Sequence, residues 1–189
     1  MLKAKQALLV HFNTPMSLHP LGYPDDLRDA LANPHWEMCY STILPSDLGP
    51  AQTDWGSAQA CGSVGVVVDL QPTTRLIRVN HGDGGSMGRL SLPGLGETAD
   101  LATCTSSIDR RAKGHNEWFL ADAVAVGIFS FPNPHIFKPG EGDAPYALDR
   151  VATDFPDQPL LTAHEGRFWR HDRASTTWQQ VGYDEIIVP

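Results

Sequence analysis

The sequence has little cysteine, little lysine and no long hydrophobic run, and each shortage closes a class of explanation. Its three cysteines, Cys39, Cys61 and Cys104, are odd in number and include no CxxC pair. Neither a disulfide framework nor a compact zinc knuckle is therefore expected, and the thiols read as reduced and mostly buried. No apolar stretch approaches the roughly 18 residues that a membrane-spanning helix needs. The opening ten residues carry Lys3 and Lys5 and a very short apolar run, with no small-residue cleavage site close behind. The expectation is a cytoplasmic protein, neither exported nor inserted in a membrane. The formal net charge of -8 excludes broad, sequence-independent affinity for a phosphate backbone, which depends on Lys and Arg. Arginine outnumbers lysine and clusters at 110–111 and 167–173, local patches where a planar fork can hold phosphate or carboxylate.

What is present is a globular composition. A chain of 189 residues, 41% of them hydrophobic, is long enough for one covered core and short for two. The expectation is a single domain over 1–189, with a core over 1–131 and a C-terminal part over 132–189 that completes or covers it. Residues 6–12 read as a buried opening strand before the turn-prone Asn13-Thr14-Pro15. Pro24, Asp25 and Asp26 open a helix that Asn33-Pro34 stops. A strand follows over 36–43, with Trp36, Met38 and Tyr40 on one face and Glu37, Cys39 and Ser41 on the other.

Residues 44–62 form a long loop, and 64–70 and 75–79 read as strands joined by Gln71-Pro72-Thr73-Thr74 into a hairpin-like unit. Residues 81–96 are a glycine-rich loop. Glu117 to Ala121 and 124–131 are the strongest strand signals, linked tightly by Asp122-Ala123. A helix is expected over 144–155, with Tyr146, Leu148, Val151 and Phe155 on its apolar side. Short strands are expected over 166–170, 176–181 and 185–188. Strands that do not alternate regularly with helices indicate α+β, with a mixed or antiparallel split sheet and a few short helices.

Three constellations carry candidate chemistry. Gln59-Ala60-Cys61-Gly62-Ser63 is similar to the nucleophile stretch of papain-like proteases, but there the cysteine opens a long helix, whereas Cys61 runs into a strand. His164 and His171 are spaced for neither a helix face nor a strand face. His115 and Glu117 share a strand face but lack an obvious third metal ligand. More specific is Asp109 to Leu120, a basic loop running into a strand that opens with Glu117 and turns apolar at once. Such a carboxylate suits stabilisation of a developing oxocarbenium ion. The plainer alternative is a solvated strand-start residue paired with Arg110 or Arg111.

Arg110, six intervening residues, Glu117-Trp118-Phe119-Leu120 and then Val124-x-x-Gly127-Ile128 resemble the catalytic-glutamate strand of ADP-ribosyltransferases, the DarT-like members in particular. His11-Phe12-Asn13-Thr14 resembles the opening motif of that fold, and Tyr40-Ser41-Thr42 stands where the family carries an aromatic or hydroxyl residue. The resemblance spans residues 6 to 131. It departs from the family at His115, where a Glu or Gln is usual. It implies an ADP-ribosyltransferase-like fold that takes NAD as substrate and acts on a nucleic-acid base or a protein side chain. His11, Asn13 and Thr14 would hold the adenosine part, Tyr40 and Ser41 would lie near the nicotinamide, and Glu117 would assist cleavage of the glycosidic bond. Arg110 or Arg111 would contact the pyrophosphate or the acceptor. The competing readings are a non-enzymatic structural or binding module of bacterial or phage origin and an NAD-hydrolysing toxin. A toxin would imply an antitoxin or other partner protein. Glu185, in Tyr183 to Pro189, is the second candidate carboxylate, since that ending resembles another transferase subgroup.

Overall fold

The structure, a computed structural model, describes residues 1–13, 23–47, 64–82, 100–111, 116–131 and 148–187. Thr14, Cys61, the glycine-rich loop from 83 and His115 lie outside them. The protein is α+β, and its described residues form a large mixed sheet of nine strands and a few short helices. In chain order the elements are α1 (Leu2–Lys5), β1 (Leu8–Phe12), α2 (Asp25–Ala32), β2 (Met38–Ile43), β3 (Val64–Asp69), β4 (Arg75–Asn80) and α3 (Leu101–Asp109). They continue with β5 (Glu117–Ala121), β6 (Val124–Ser130), α4 (Leu148–Asp154), β7 (Leu160–His164), β8 (Arg167–Asp172), β9 (Thr177–Val181) and α5 (Tyr183–Ile187). The strand order is β4-β5-β2-β1-β3-β6-β7-β8-β9.

Every ladder is antiparallel except β6–β7, where Ile128 and Phe129 lie beside Leu160 and Leu161. A parallel neighbour requires a crossover rather than a turn, and the intervening chain contains α4. The last three strands extend the same sheet. β2 is divided between partners: Met38 to Tyr40 pair with β5, and Ser41 to Ile43 pair with β1.

The hairpin expected from residues 64–79 does not form. β3 pairs with β1 and β6, and β4 pairs with β5. Asp69 stands opposite Val124 and Arg75 stands opposite Ala121, so β3 and β4 form one arm of a long ribbon and β6 and β5 form the other. Both arms bend at a shared corner, where residues 70–74 face Asp122 and Ala123. Strands that switch sheets make corners in this way. The corner is tied by Thr74 Oγ1 donating to the Asp122 carbonyl, by the Arg75–Asp122 ion pair at 2.8 Å, and by Asp122 N–H donating to the Pro34 carbonyl. Asp122 takes a positive φ of 61°, which Asp tolerates better than most residues. Turn residues at 71–74 marked a change of direction correctly; which strands they joined into a ladder depended on partners far along the chain.

Two cores result, one on each face of the central strands. The first gathers Leu9, Tyr40, Val66, Val68, Val79, Trp118, Leu120 and Ile128 under α2, α3 and α4, through Leu27, Ile108 and Val151. The second gathers Leu8, Val10, Val67, Phe129, Phe131, Leu161 and Phe168 with Ile186 of α5. With both faces covered, β1 and β3 read as continuous apolar runs instead of alternating ones.

Three further elements depart from expectation. Residues 183–187 are helical rather than a strand: Gly182 N–H donates to the Glu185 carboxylate at 2.6 Å, Asp184 and Glu185 stand in the first turn, and Ile186 is buried. That is the carboxylate half of a capping box, with acidic residues at the positive end of a helix. α3 was not anticipated, although Asp100 caps it by accepting from Thr103 N–H at 2.7 Å. β7 was not anticipated either: Leu160 to Ala163 are all buried, so they lack the alternation of a half-buried strand. Trp36 lies before β2 and is exposed, as is Cys39, while Cys104 is buried.

Candidate functional site

The bend leaves a gap where the corner parts from β1 and β2. A cavity of about 140 Å³ fills it, lined by His11, Met38, Tyr40, Val66, Val68 and the Ala123 to Ala125 corner, under Ala30, Leu31 and Pro34 of α2 and its exit. His11 and Tyr40 come from adjacent strands, and their rings meet edge to face with centroids 5.7 Å apart. His11 Nδ1 lies 2.8 Å from the Cys39 carbonyl. A carbonyl can only accept, so His11 Nδ1 carries a proton and donates to it. Tyr40 is 3% exposed, and burial, followed by the charge of Cys39, pushes its pKa up to about 12. The phenol is therefore a neutral donor at physiological pH. The cavity thus has aliphatic walls and two polar aromatic edges.

Glu117 is not part of it. Tyr40 and Trp118 are partners across the β2–β5 ladder and share the first core. Successive side chains on a strand point to opposite faces, so Glu117 faces away from that core. It pairs with Asn80 of β4, whose Nδ2 donates to Glu117 Oε2 at 3.3 Å, and both residues are buried. The arrangement that the resemblance implies needs His11, Tyr40 and Glu117 along one wall. The structure brings the first two together and places the third across the sheet, so these residues as a set do not fit one molecule of NAD.

Apart from Arg110, the remaining described candidates are engaged in holding the fold. Asn13 Oδ1 accepts from Val64 N–H, and Asn13 N–H donates to the Val64 carbonyl, extending the β1–β3 ladder. Ser41 Oγ donates to the Asn116 carbonyl at 3.0 Å. Arg111 forks onto Asp47 at 2.7 and 3.0 Å and also donates to the Thr42 carbonyl. Arg110 is exposed at the end of α3. Glu185 caps α5.

Two groupings escaped the sequence reading. Asn116 is fully buried; its Oδ1 accepts from Thr42 N–H and Oγ1, and its Nδ2 donates to the Ser107 carbonyl at 3.2 Å. Trp118 Nε1 donates to Ser107 Oγ at 2.9 Å. This buried network fixes how β5 enters the sheet, and so where Glu117 and Trp118 point. The second is His81 Nε2 beside Ser106 Oγ at 3.1 Å, a pair that no periodicity reveals because α3 and the end of β4 meet only in the folded chain. Among the described residues, no group of three or more His, Cys, Asp or Glu is placed to hold a metal ion, and no helix is long and apolar enough to cross a membrane.

Comparison with protein-family models, with curated protein sequences and with solved structures finds no match to this chain.

Proposed function

We propose that the protein is a binding module that seats a single aromatic or heteroaromatic ring, of nicotinamide size, between His11 and Tyr40. The observation that carries this reading is the size and lining of the corner cavity. At about 140 Å³ it matches an aliphatic-lined cavity that accepts one benzene ring, on the order of 150 Å³, and is too small for a dinucleotide. The Tyr40 hydroxyl supplies a donor that a carboxamide oxygen or a ring nitrogen would accept from.

A second reading has its own support. Glu117 is a carboxylate buried at a strand mouth, beside an Asn80 whose Oδ1 has no hydrogen-bond partner among the described residues. An ADP-ribosyltransferase or an NAD-hydrolysing toxin would place its chemistry there. A nucleobase or protein acceptor, and any antitoxin, belong to that reading.

One experiment separates them. Nicotinamide, benzamide and NAD are titrated against the protein by NMR, and nicotinamide release from NAD is followed with and without nucleic acid. The binding module requires ring-induced shifts at His11 and Tyr40 that Tyr40→Ala abolishes and Glu117→Gln preserves, with no release. Release that Glu117→Gln abolishes would establish the transferase or toxin. Absence of any ring binding overturns the cavity reading.

A further inference from the structure

Successive residues of α3, Thr105, Ser106 and Ser107, all carry hydroxyls, and the outer two use them within the helix. Thr105 Oγ1 donates to the Leu101 carbonyl and Ser107 Oγ to the Cys104 carbonyl, each at 2.8 Å. Such local bonds to the preceding turn are the usual engagement of a hydroxyl inside a helix. Ser106 turns elsewhere. Its Oγ lies 3.1 Å from Nε2 of His81, the residue that follows β4, and both side chains are half-buried.

Arg110 stands one turn further along α3, where its backbone N–H donates to the Ser106 carbonyl at 2.9 Å. Residues four apart on a helix are surface neighbours, and helical side chains lean toward the N-terminus. The exposed Arg110 chain therefore starts beside Ser106 and reaches back over it. Among the described residues, Arg110 is also the one lysine or arginine whose side chain has no partner. The others are engaged: most by carboxylates, Arg167, Arg170 and Arg173 by Gln180 or by carbonyl oxygens, and Arg78 by the Phe119 ring. The neighbouring carboxylate, Asp109, is already paired with Lys5 at 2.6 Å. A chain of net charge -8 thus leaves one guanidinium uncommitted, next to a hydroxyl that its own helix does not use.

We infer that His81, Ser106 and Arg110 form a seat for a phosphate group. In the complex His81 donates from Nε2 to Ser106 Oγ, which turns the hydroxyl proton outward, and the planar fork of Arg110 supplies two further donors. That makes one outward donor for each terminal oxygen of a phosphate monoester, where a carboxylate offers only two oxygens. Neither the ring cavity nor Glu117 takes part, so the seat does not depend on either functional reading. Because its members are exposed or half-buried, the expected Kd is on the order of 1 mM.

The test is an NMR titration of the full chain with inorganic phosphate, phenyl phosphate and acetate at constant ionic strength, each to about 20 mM, well past that Kd. Phosphate gives saturable shifts at the Arg110 Nε–H and at the Ser106 and His81 amides, and acetate does not. Arg110→Gln weakens binding about ten-fold or more, and Ser106→Ala and His81→Ala about three-fold or more each, the scale of a lost charged and a lost neutral hydrogen bond. Lys3→Gln, which removes the same charge from an exposed site on α1, leaves binding unchanged. Amide spectra that match the wild type away from α3 and β4 show that each variant is folded. Binding of both phosphates assigns the seat to phosphate esters, and binding of inorganic phosphate alone assigns it to the free ion. Absent or non-saturating shifts, acetate bound as tightly as phosphate, or phosphate binding that survives Arg110→Gln overturns the inference. So does binding indifferent to Ser106→Ala, because the hydroxyl would then play no part.

Discussion

Tyr40 and Trp118 stand opposite each other across the β2–β5 ladder and point into the same core. Glu117, one residue earlier in the strand, therefore points out of it. This one-residue parity divides what the sequence presents as a single charged-to-apolar motif into a cavity on one side of the sheet and a buried carboxylate on the other.

Filling the cavity tests whether its volume matters to binding. Ala125 lines it and is half-buried, so Ala125→Leu places three extra carbons where a ring would sit. The expected outcome is at least ten-fold weaker binding of nicotinamide by NMR titration, with a melting temperature equal to or above that of the wild type. Undiminished binding would show that the ligand sits elsewhere.

Gly65 governs the same region through the backbone. A Cβ at this position would lie 2.5 Å from the His11 carbonyl oxygen and 2.6 Å from Val10 Cγ1. The first is main chain and cannot swing aside, so β1 and β3 must separate. Gly65→Ala is expected to cost about 2–4 kcal/mol in urea denaturation and to lose ring binding as His11 moves. A loss below about 0.5 kcal/mol, the scale of a neutral surface change, would mean that the two strands are less tightly apposed than described.

The Asn116 network anchors β5. Removing its amide leaves Thr42 N–H without its acceptor and strips Ser107 of a donor, all in a fully buried setting. Orphaned buried groups cost about 1–3 kcal/mol each, so Asn116→Ala is expected to destabilise by roughly 3 kcal/mol, read from the shift of the urea midpoint at constant slope. Asn116→Asp keeps the acceptor toward Thr42 but sets a buried carboxylate oxygen against the Ser107 carbonyl, and should cost at least as much as Asn116→Ala. A much smaller loss in Asn116→Asp than in Asn116→Ala would show that the donor to Ser107 contributes little.

Alkaline pH acts on two tyrosines. Tyr40 is raised to about 12 by burial and then by Cys39; Tyr183 is raised to about 12 by burial and then by the charges of Asp69 and Asp184. A folded pKa above the unfolded value of about 10 means that the native state holds its proton longer. Their contribution is complete below pH 10 and is lost as pH rises from 10 through 12. Thermal melts at stepped pH should fall across that window, and Tyr40→Phe should make the fall shallower. Absorbance at 295 nm showing every tyrosine ionising near pH 10 in the folded protein would contradict the burial argument.

By itself the sequence determined the elements whose signals are local: the capped and proline-bounded α2, the apolar strands β1, β3, β5 and β6, the turn at 71–74, and the α+β class that their irregular order implies. It also brought Met38 and Tyr40 to one face, because strand alternation needs no partner to be read. Only the tertiary structure decided pairing. The 71–74 turn proved to be a corner in a bent ribbon because β1, β5 and β6 offered ladders to β3 and β4 that the two could not offer each other. Residues 183–187, β-branched enough to pass for a strand, became a helix once Glu185 capped Gly182 and Ile186 found the second core. Tertiary structure likewise decided which candidates share a wall. Side-chain parity is legible within a strand, but whether two strands turn the same face to the same core depends on register, and register is set by partners that lie tens of residues away.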